Sequence, residues 1–429
     1  LNQYLLDNRN QNGVPILNEQ QWTDINSQFD KETIVAALID IIVTTKPPCP
    51  LREISFADMQ KSFWDLSLSD LKTTFQTHDE VKDLVLEKFE DYGRKYATHG
   101  LGVIQMGSQF NDVSNYFHQE LRYNCDAWGY KSPIFRWNNN DNLRSVFLAL
   151  WRLGNKELSV SSYIMAFRLS AYIATQFKPQ VAKFLYEITN AKTVFDSSCG
   201  WGDRLAGFYC SSAKEYYGTD PNDQTFEKYF EQCLVYEKFL GGEPRTVKDD
   251  KHFIVEGNKR VEIHRCPAED FDYSILPKID CAFTSPPYFA TEKYNTTGKH
   301  ADEQSWSRYN SFDRWKYDFF FKVTEMVWPT IRQNGFMMIN IIEPRSKNGK
   351  RFNLCDEVWA TSDWVADVFK ECGVTKPIYV YPHGIEDIWK PKKRILKEGK
   401  PFKFLHLGEP APRKDGQLVV DTFIKLFGN

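Results

Sequence analysis

Residues 194–204 read Val194-Phe195-Asp196-Ser197-Ser198-Cys199-Gly200-Trp201-Gly202-Asp203-Arg204. An apolar run ends in an acid, passes through a short polar turn with two glycines, and enters a helix start. Gly200 and Gly202 lack a Cβ, so the backbone can turn sharply there and approach a ligand closely. The third glycine of the dinucleotide fingerprint is missing, which argues against NAD. Asp196 stands where it can accept from the amino group of a cationic ligand.

From residue 193 onward, short apolar runs alternate with amphipathic stretches. Strands are expected at 193–195, 215–218, 261–264, 281–284 and 336–342, and helices at 204–210, 224–239 and 315–331. That alternation predicts an α/β fold with a doubly wound parallel sheet. Ligands of such sheets bind beyond the carboxyl ends of the strands. Acids recur at those ends. Asp220, in Tyr217-Gly218-Thr219-Asp220-Pro221-Asn222, suits ribose hydroxyls. Glu269 and Asp270, in Pro267-Ala268-Glu269-Asp270-Phe271, suit an adenine amino group, with Phe271 nearby. One such acid alone is more often a cap or a solvated turn; three at successive strand ends point to a nucleoside.

The fourth strand runs into Thr284-Ser285-Pro286-Pro287-Tyr288-Phe289. Two prolines fix φ and stiffen an extended backbone, which can aim carbonyls at an amino group without rearranging. Ser285 adds a short polar acceptor, and Tyr288 an aromatic face.

Asp196…Gly200-Trp201-Gly202 together with Thr284-Ser285-Pro286-Pro287-Tyr288 resembles the S-adenosylmethionine-dependent amino-methyltransferases that act on DNA, over residues 175–345 or so. The resemblance implies a Rossmann-like methyltransferase sheet and S-adenosylmethionine as cofactor. Asp196, Gly200 and Gly202 would hold its methionine part, Asp220 the ribose, and Glu269 or Asp270 the adenine. Ser285, Pro286, Pro287 and Tyr288 would receive a base turned out of the helix and form the catalytic loop. Phe177-Lys178-Pro179 resembles the segment that closes over the methionine, which adds Lys178 to the cofactor set. An exocyclic amine is a poor nucleophile because its lone pair is delocalised into the ring. Acceptors at Ser285 and the Pro286 carbonyl would draw the nitrogen toward tetrahedral geometry, and positioning supplies most of the acceleration. Flipping costs a few kcal/mol, partly offset by stacking on Tyr288. Serine at the first loop position leans toward cytosine N4 in that family, with adenine N6 close behind. Pro-Pro-Tyr loops also serve RNA bases, so RNA is the alternative partner to DNA.

Composition sets the limits. The 429 residues carry 54 basic and 57 acidic side chains, a net charge of −3, which excludes a general polyanion-coating protein but leaves room for a local basic channel. Mean hydropathy is −0.51. No apolar run approaches the ~18 residues of a spanning helix, so no membrane partner is expected and the reading is cytoplasmic, or host cytoplasm for a viral protein. Aromatics reach 15%, which means large cores or stacking platforms for bases. The 9 Cys are scattered without C-x-x-C, so free thiols are expected, with neither zinc site nor disulfides; the 8 His show no ligand spacing, and no metal is expected. The chain begins at Leu1 and stops inside an element, which reads as part of a longer chain.

Residues 1–175 read as mainly helical, with apolar periodicity at 34–43 and 81–92, a linker at Lys46-Pro47-Pro48-Cys49-Pro50, and helical runs at 143–153 and 162–177. Arg136-Trp137-Asn138-Asn139-Asn140 reads as a capped turn before a core helix, with base reading as the other option. The methyltransferase region, 176–352, has no room for a recognition domain between the glycine turn and the Pro-Pro loop, so target recognition falls by elimination to the first region. Residues 353–429 change character again. Val358-Trp359-Ala360-Thr361-Ser362, Pro382-His383-Gly384-Ile385-Glu386 and Gly408-Glu409-Pro410-Ala411-Pro412-Arg413-Lys414-Asp415-Gly416 resemble part of a GT-B glycosyltransferase of group 1. That resemblance implies Gly408, Arg413 and Lys414 as binders of a nucleotide-sugar donor. Its acceptor lobe is absent, and the methyltransferase sheet lacks strands after residue 342. Both losses meet at 347–353, where residues are expected to be missing from the sequence. A base methylase joined to a sugar transferase suggests nucleic-acid modification and a viral or mobile-element origin.

Overall fold

Asp30 caps the first long helix, α1 (Lys31–Thr45), by accepting from the Thr33 N–H at 2.9 Å. The computed structural model describes residues 1–70, 75–77, 101–103, 108, 110–127, 129–289, 291–296, 298–340, 358–360, 370 and 378–380. Ser55 and Asp58 form a reciprocal capping box at the start of α2 (Phe56–Leu68). Longer helices that follow among the described residues are α3 (Asp112–Tyr123), α4 (Asn140–Arg152) and α5 (Val160–Ser170). The Asn-rich stretch before α4 is the capped turn: Asn139 accepts from the Asp141 N–H, while Trp137 is buried and donates to the Pro47 carbonyl at 2.8 Å. α1, α4 and α5 share an apolar core of their own, built on Leu38, Ile41, Val146, Phe147, Tyr163 and Phe167.

The sheet has seven strands: β1 (Thr193–Asp196), β2 (Glu215–Thr219), β3 (Arg245–Lys248), β4 (His252–Glu256), β5 (Arg260–His264), β6 (Ile279–Thr284) and β7 (Ile331–Ile339). Their order is β7-β6-β1-β2-β5-β4-β3. The first five in that order are parallel, while β4 and β3 run antiparallel at one edge. This is a mixed α/β, Rossmann-like arrangement. The chain order reverses between β1 and β6, and a crevice opens at such a switch point beyond the strand ends. The hairpin β3–β4 was not expected from the sequence. All four residues of β3 are exposed, so it carries no apolar run to betray it, and Arg245 and Lys248 mark it as a charged edge.

One face of the sheet is covered by α6 (Pro179–Ile188), α7 (Asp203–Tyr209) and α8 (Asp223–Phe239). Their core includes Tyr186, Leu205, Phe208, Tyr216 and Tyr229, and it also takes Phe63 from α2 and Phe117 from α3. Those two helices thus pack into the core of the sheet. The other face buries Phe195, Phe271, Tyr273, Trp315, Phe319 and Val323. The expected helix at 315–331 is broken into a π-helical stretch Trp315–Phe321, an α-turn Lys322–Val327 and a 3-10 turn Trp328–Thr330, with Pro329 ending it. Residues 357–368 and 377–429 form a second unit, in which Val358–Ala360 pairs in parallel with Ile378–Val380. Gly408, Arg413, Lys414, the 347–353 segment and the expected helix at 81–92 lie outside the described residues. Among the described residues, no helix is long and apolar enough to cross a membrane.

Candidate functional site

Asp196 ends β1 fully buried. Its Oδ2 accepts from Arg204 Nε and from the Tyr216 hydroxyl, both at 2.7 Å; its Oδ1 accepts from the Ser198 N–H at 3.1 Å and Thr284 Oγ1 at 3.0 Å. Both oxygens are committed, and the residue lines neither cavity described below. Here Asp196 ties the turn to α7 and to the Pro-Pro strand. Burial alone would lower the Arg204 pKa, and the adjacent Asp196 charge more than reverses that, so Arg204 stays a cation.

Gly200 and Gly202 take φ values of +62° and +68°, which side chains rarely adopt. A Cβ on Gly202 would lie 2.3 Å from Gln232 Oε1 and 2.6 Å from His118 Nε2. Gln232 Nε2 donates to the Gly202 carbonyl at 2.9 Å. With the amide so turned, its Oε1 accepts from His118 Nε2 at 3.0 Å. Burial pushes the His118 pKa down to about 3, so the ring is neutral. Gly202 thus shapes the turn from behind and does not itself line the cavity.

Gly200 does. Its N–H donates to Asp220 Oδ2 at 2.8 Å, and the Asn222 N–H donates to Oδ1 at 3.0 Å. Burial raises the Asp220 pKa to about 6. The two acids after β5 part company. Glu269 is buried at the cavity wall, held by the Tyr309 hydroxyl and by Arg308 Nε at 3.2 Å. Asp270 turns outward into a forked pair with Arg308, at 2.6 and 3.2 Å, and lines neither of the two cavities described below. Phe271 is also displaced from its expected role: it stacks on Phe195 inside the core, and Phe319 from the π-helical stretch forms the aromatic wall instead.

Two cavities meet here. The first, about 610 Å³, is lined by Ser197, Ser198, Gly200, Trp201, Asp220, Asn222, Glu269, Ser285, Pro287, Tyr294 and Phe319, among others. The second, about 570 Å³, is lined by Thr175, Gln176, Phe177, Asp203, Arg204, Pro286, Tyr288, Glu292 and Asn340, together with Gly200, Trp201, Ser285 and Tyr294, which belong to both. The loop between them is locked. The Ser285 and Tyr288 hydroxyls are 2.6 Å apart, Asn340 Nδ2 donates to each at 3.0 and 2.9 Å, and the Tyr288 hydroxyl lies 3.0 Å from the Asn340 carbonyl. Asn340, just past β7, carried no signal in the sequence, because only the fold brings it to this loop. Glu292 was missed for the same reason. It is buried and accepts from the Tyr172 hydroxyl at 2.5 Å and from the Thr175 N–H and hydroxyl, both at 3.0 Å.

Lys178 lies elsewhere. It occupies the N-cap position of α6 without a side-chain cap, and it lines an open groove of about 1370 Å³ with Arg52, Arg122 and Arg168. Thr175 and Gln176 line both this groove and the second cavity.

No family model and no curated protein matches the chain. Among solved structures, the complex of Trm1 from Pyrococcus horikoshii with S-adenosyl-L-methionine matches at 20% identity and a TM-score of 0.22, over 27% of this chain and 32% of that one. The match spans under a third of that protein, and a likeness of this extent assigns no activity.

Proposed function

We infer that the joined cavities bind S-adenosylmethionine and the exocyclic amine of a nucleic-acid base, and that the chain methylates DNA at cytosine N4 or adenine N6. The observation that carries this reading is the meeting of two cavities at Gly200 and Ser285, one on the glycine-turn side and one on the Pro-Pro side. The Asp220 and Glu269 carboxylates of the first cavity stand at the ends of β2 and β5, where ribose hydroxyls and an adenine amine find acceptors. Gly200 keeps its backbone bare toward the cavity.

When bound, the cofactor supplies an electrophilic methyl on a sulfonium. The chain's own work is positional. Ser285 is held by Tyr288 and Asn340, so its hydroxyl and the following carbonyls meet the amine without reorganising. Asp203 and Glu292 place carboxylates on the second cavity beside the Arg204 guanidinium, which Asp196 pairs, and such carboxylates suit a ligand presenting N–H donors. Trp201 and Tyr294 line both cavities, and Phe319 lines the first. The groove of Arg52, Arg122, Arg168 and Lys178 leads to the second cavity and suits a phosphate backbone. A nucleotide-sugar site at Gly408, Arg413 and Lys414 is a separate expectation of the sequence, tested by donor hydrolysis.

Mass spectrometry of nucleosides from DNA and, in parallel, RNA incubated with labelled cofactor tests the reading. Labelled N4-methylcytosine or N6-methyladenine from DNA is the expected result. Label confined to RNA would replace the substrate class, and an unlabelled product from both would defeat the proposed reaction.

A further inference from the structure

Outside the lining of both cavities, three side chains of the antiparallel edge share one face of the sheet. His252 on β4 pairs directly with His264 on β5, and Glu262 lies two residues before His264. Glu262 Oε1 is 3.3 Å from His252 Nε2 and 3.0 Å from His264 Nε2, and the three ligand atoms all lie within 4.8 Å of one another. An ion held tetrahedrally at about 2.0–2.2 Å from nitrogen and oxygen ligands sets those ligands about 3.3 Å apart. The two Glu262–histidine separations are close to that spacing, the shorter one being a hydrogen bond that an ion would replace.

Further observations point the same way. His252 Nε2 is buried and, although 3.3 Å from Glu262 Oε1, has no hydrogen-bond partner, so the protein alone leaves a ligand atom unsatisfied. The other carboxylate oxygen, Oε2, accepts from Arg260 Nη2 at 2.6 Å, which fixes the group and leaves Oε1 turned to the histidines. The two imidazoles pack 4.4 Å apart, and Phe271 lies 5.0 Å from the His264 ring, so rotation is restricted. All three side chains remain 13–25% exposed, which leaves an entry path.

We propose that His252, Glu262 and His264 bind a single divalent transition-metal ion, Zn²⁺ by ligand chemistry, with a fourth position open to water. The ion would tie β4 to β5. Because the His264 carbonyl accepts from the Asp220 N–H at 3.1 Å, the tied end abuts the first cavity. Sequence spacing conceals this site, since nine residues separate His252 from Glu262 and only the hairpin register closes the gap.

The full chain, stripped with chelator, is titrated with Co²⁺ by visible absorption and with Zn²⁺ by calorimetry. One ion per chain is expected, with the weak bands of nitrogen and oxygen ligation and no thiolate charge-transfer band. His252→Gln and His264→Gln should each weaken binding by more than ~100-fold, above what loss of an outer-shell partner costs. Zn²⁺ should also raise the melting temperature of the parent but not of either variant. A measurement on the parent alone guards against misfolded variants: Zn²⁺ should shield His252 and His264 from diethyl pyrocarbonate, read by peptide mapping. Uptake showing only thiolate bands, uptake equal in both variants, or histidines modified equally with and without Zn²⁺ would each overturn the proposal.

Discussion

A side chain added at Gly202 has no room: its Cβ would fall 2.3 Å from Gln232 Oε1, at a φ of +68°. The left-handed backbone alone costs an alanine roughly 1–2 kcal/mol. Pushing aside the buried Gln232–His118 pair leaves polar groups unsatisfied at about 1–3 kcal/mol more. Gly202→Ala should therefore lose about 2–5 kcal/mol in urea denaturation; a loss within the ~0.5 kcal/mol of an ordinary surface change would mean the turn relaxes. Asp203 gives a prediction of different sign. Burial raises its pKa from 3.8 to about 6, so between those values the native state binds more protons than the unfolded one. Stability on this account falls as pH rises through that window and stays reduced above it. Asp203→Asn keeps an acceptor for Ser114 Oγ and for Gln176 Nε2, now 2.8 Å away, but carries no charge. The variant should match the parent near pH 4 and exceed it above pH 6, by on the order of 2–3 kcal/mol. Asp220 is raised in the same way. It contributes equally to both proteins, so the difference between their urea midpoints isolates Asp203. Equal midpoints at high pH would sink this account of the carboxyl.

At the scale of elements, the Pro-Pro loop is rigid for two reasons. The prolines restrict φ, and Ser285, Tyr288 and Asn340 close a triangle of hydrogen bonds beneath it. Removing the hydroxyl by Tyr288→Phe leaves Asn340 and Ser285 short of a partner while the ring still fills its place. On the proposed reaction, kcat should fall about ten- to a hundredfold, the ~1.4–2.7 kcal/mol that a lost buried hydrogen bond is worth, with cofactor affinity unchanged. An unchanged kcat would show the loop does not need this anchor. The loop's strand was legible in the sequence, because Cys281-Ala282-Phe283 is an apolar run that ends at the Pro-Pro turn, and all three residues are buried. β3 was not, since an exposed edge strand leaves no such trace. Asp196 was found, but its bond to Arg204 was not. An acid at a strand end looks the same whether it faces a ligand or a buried arginine, and only the position of Arg204 separates the two. Asn340, Glu292 and the π-helical Phe319 were invisible because each reaches the site through topology rather than spacing.

Across the whole molecule, charge is nearly balanced at −3, yet the groove beside the second cavity gathers Arg52, Arg122, Arg168 and Lys178. Asp112 in the same groove is paired with Arg52, which leaves a local positive excess. A duplex drawn to such a groove releases counterions, and each phosphate neutralised contributes about −0.9 to the slope of log K against log salt. Arg122 is part of the fold, donating to the Ala174 carbonyl at 2.9 Å, so it is a poor choice for substitution. Arg168 is exposed and Lys178 half-buried. The double variant Arg168→Gln, Lys178→Gln should bind DNA more weakly at every sequence and flatten the salt slope by about 1.8, twice the single-phosphate value. Tyr288→Phe should leave that slope alone, because a base contact carries no counterion term. Fluorescence anisotropy over a salt series separates the two. A slope unaltered by the double variant would place the phosphates on another face. Methyl transfer would then have to draw its base from outside this groove, even with both cavities formed as described.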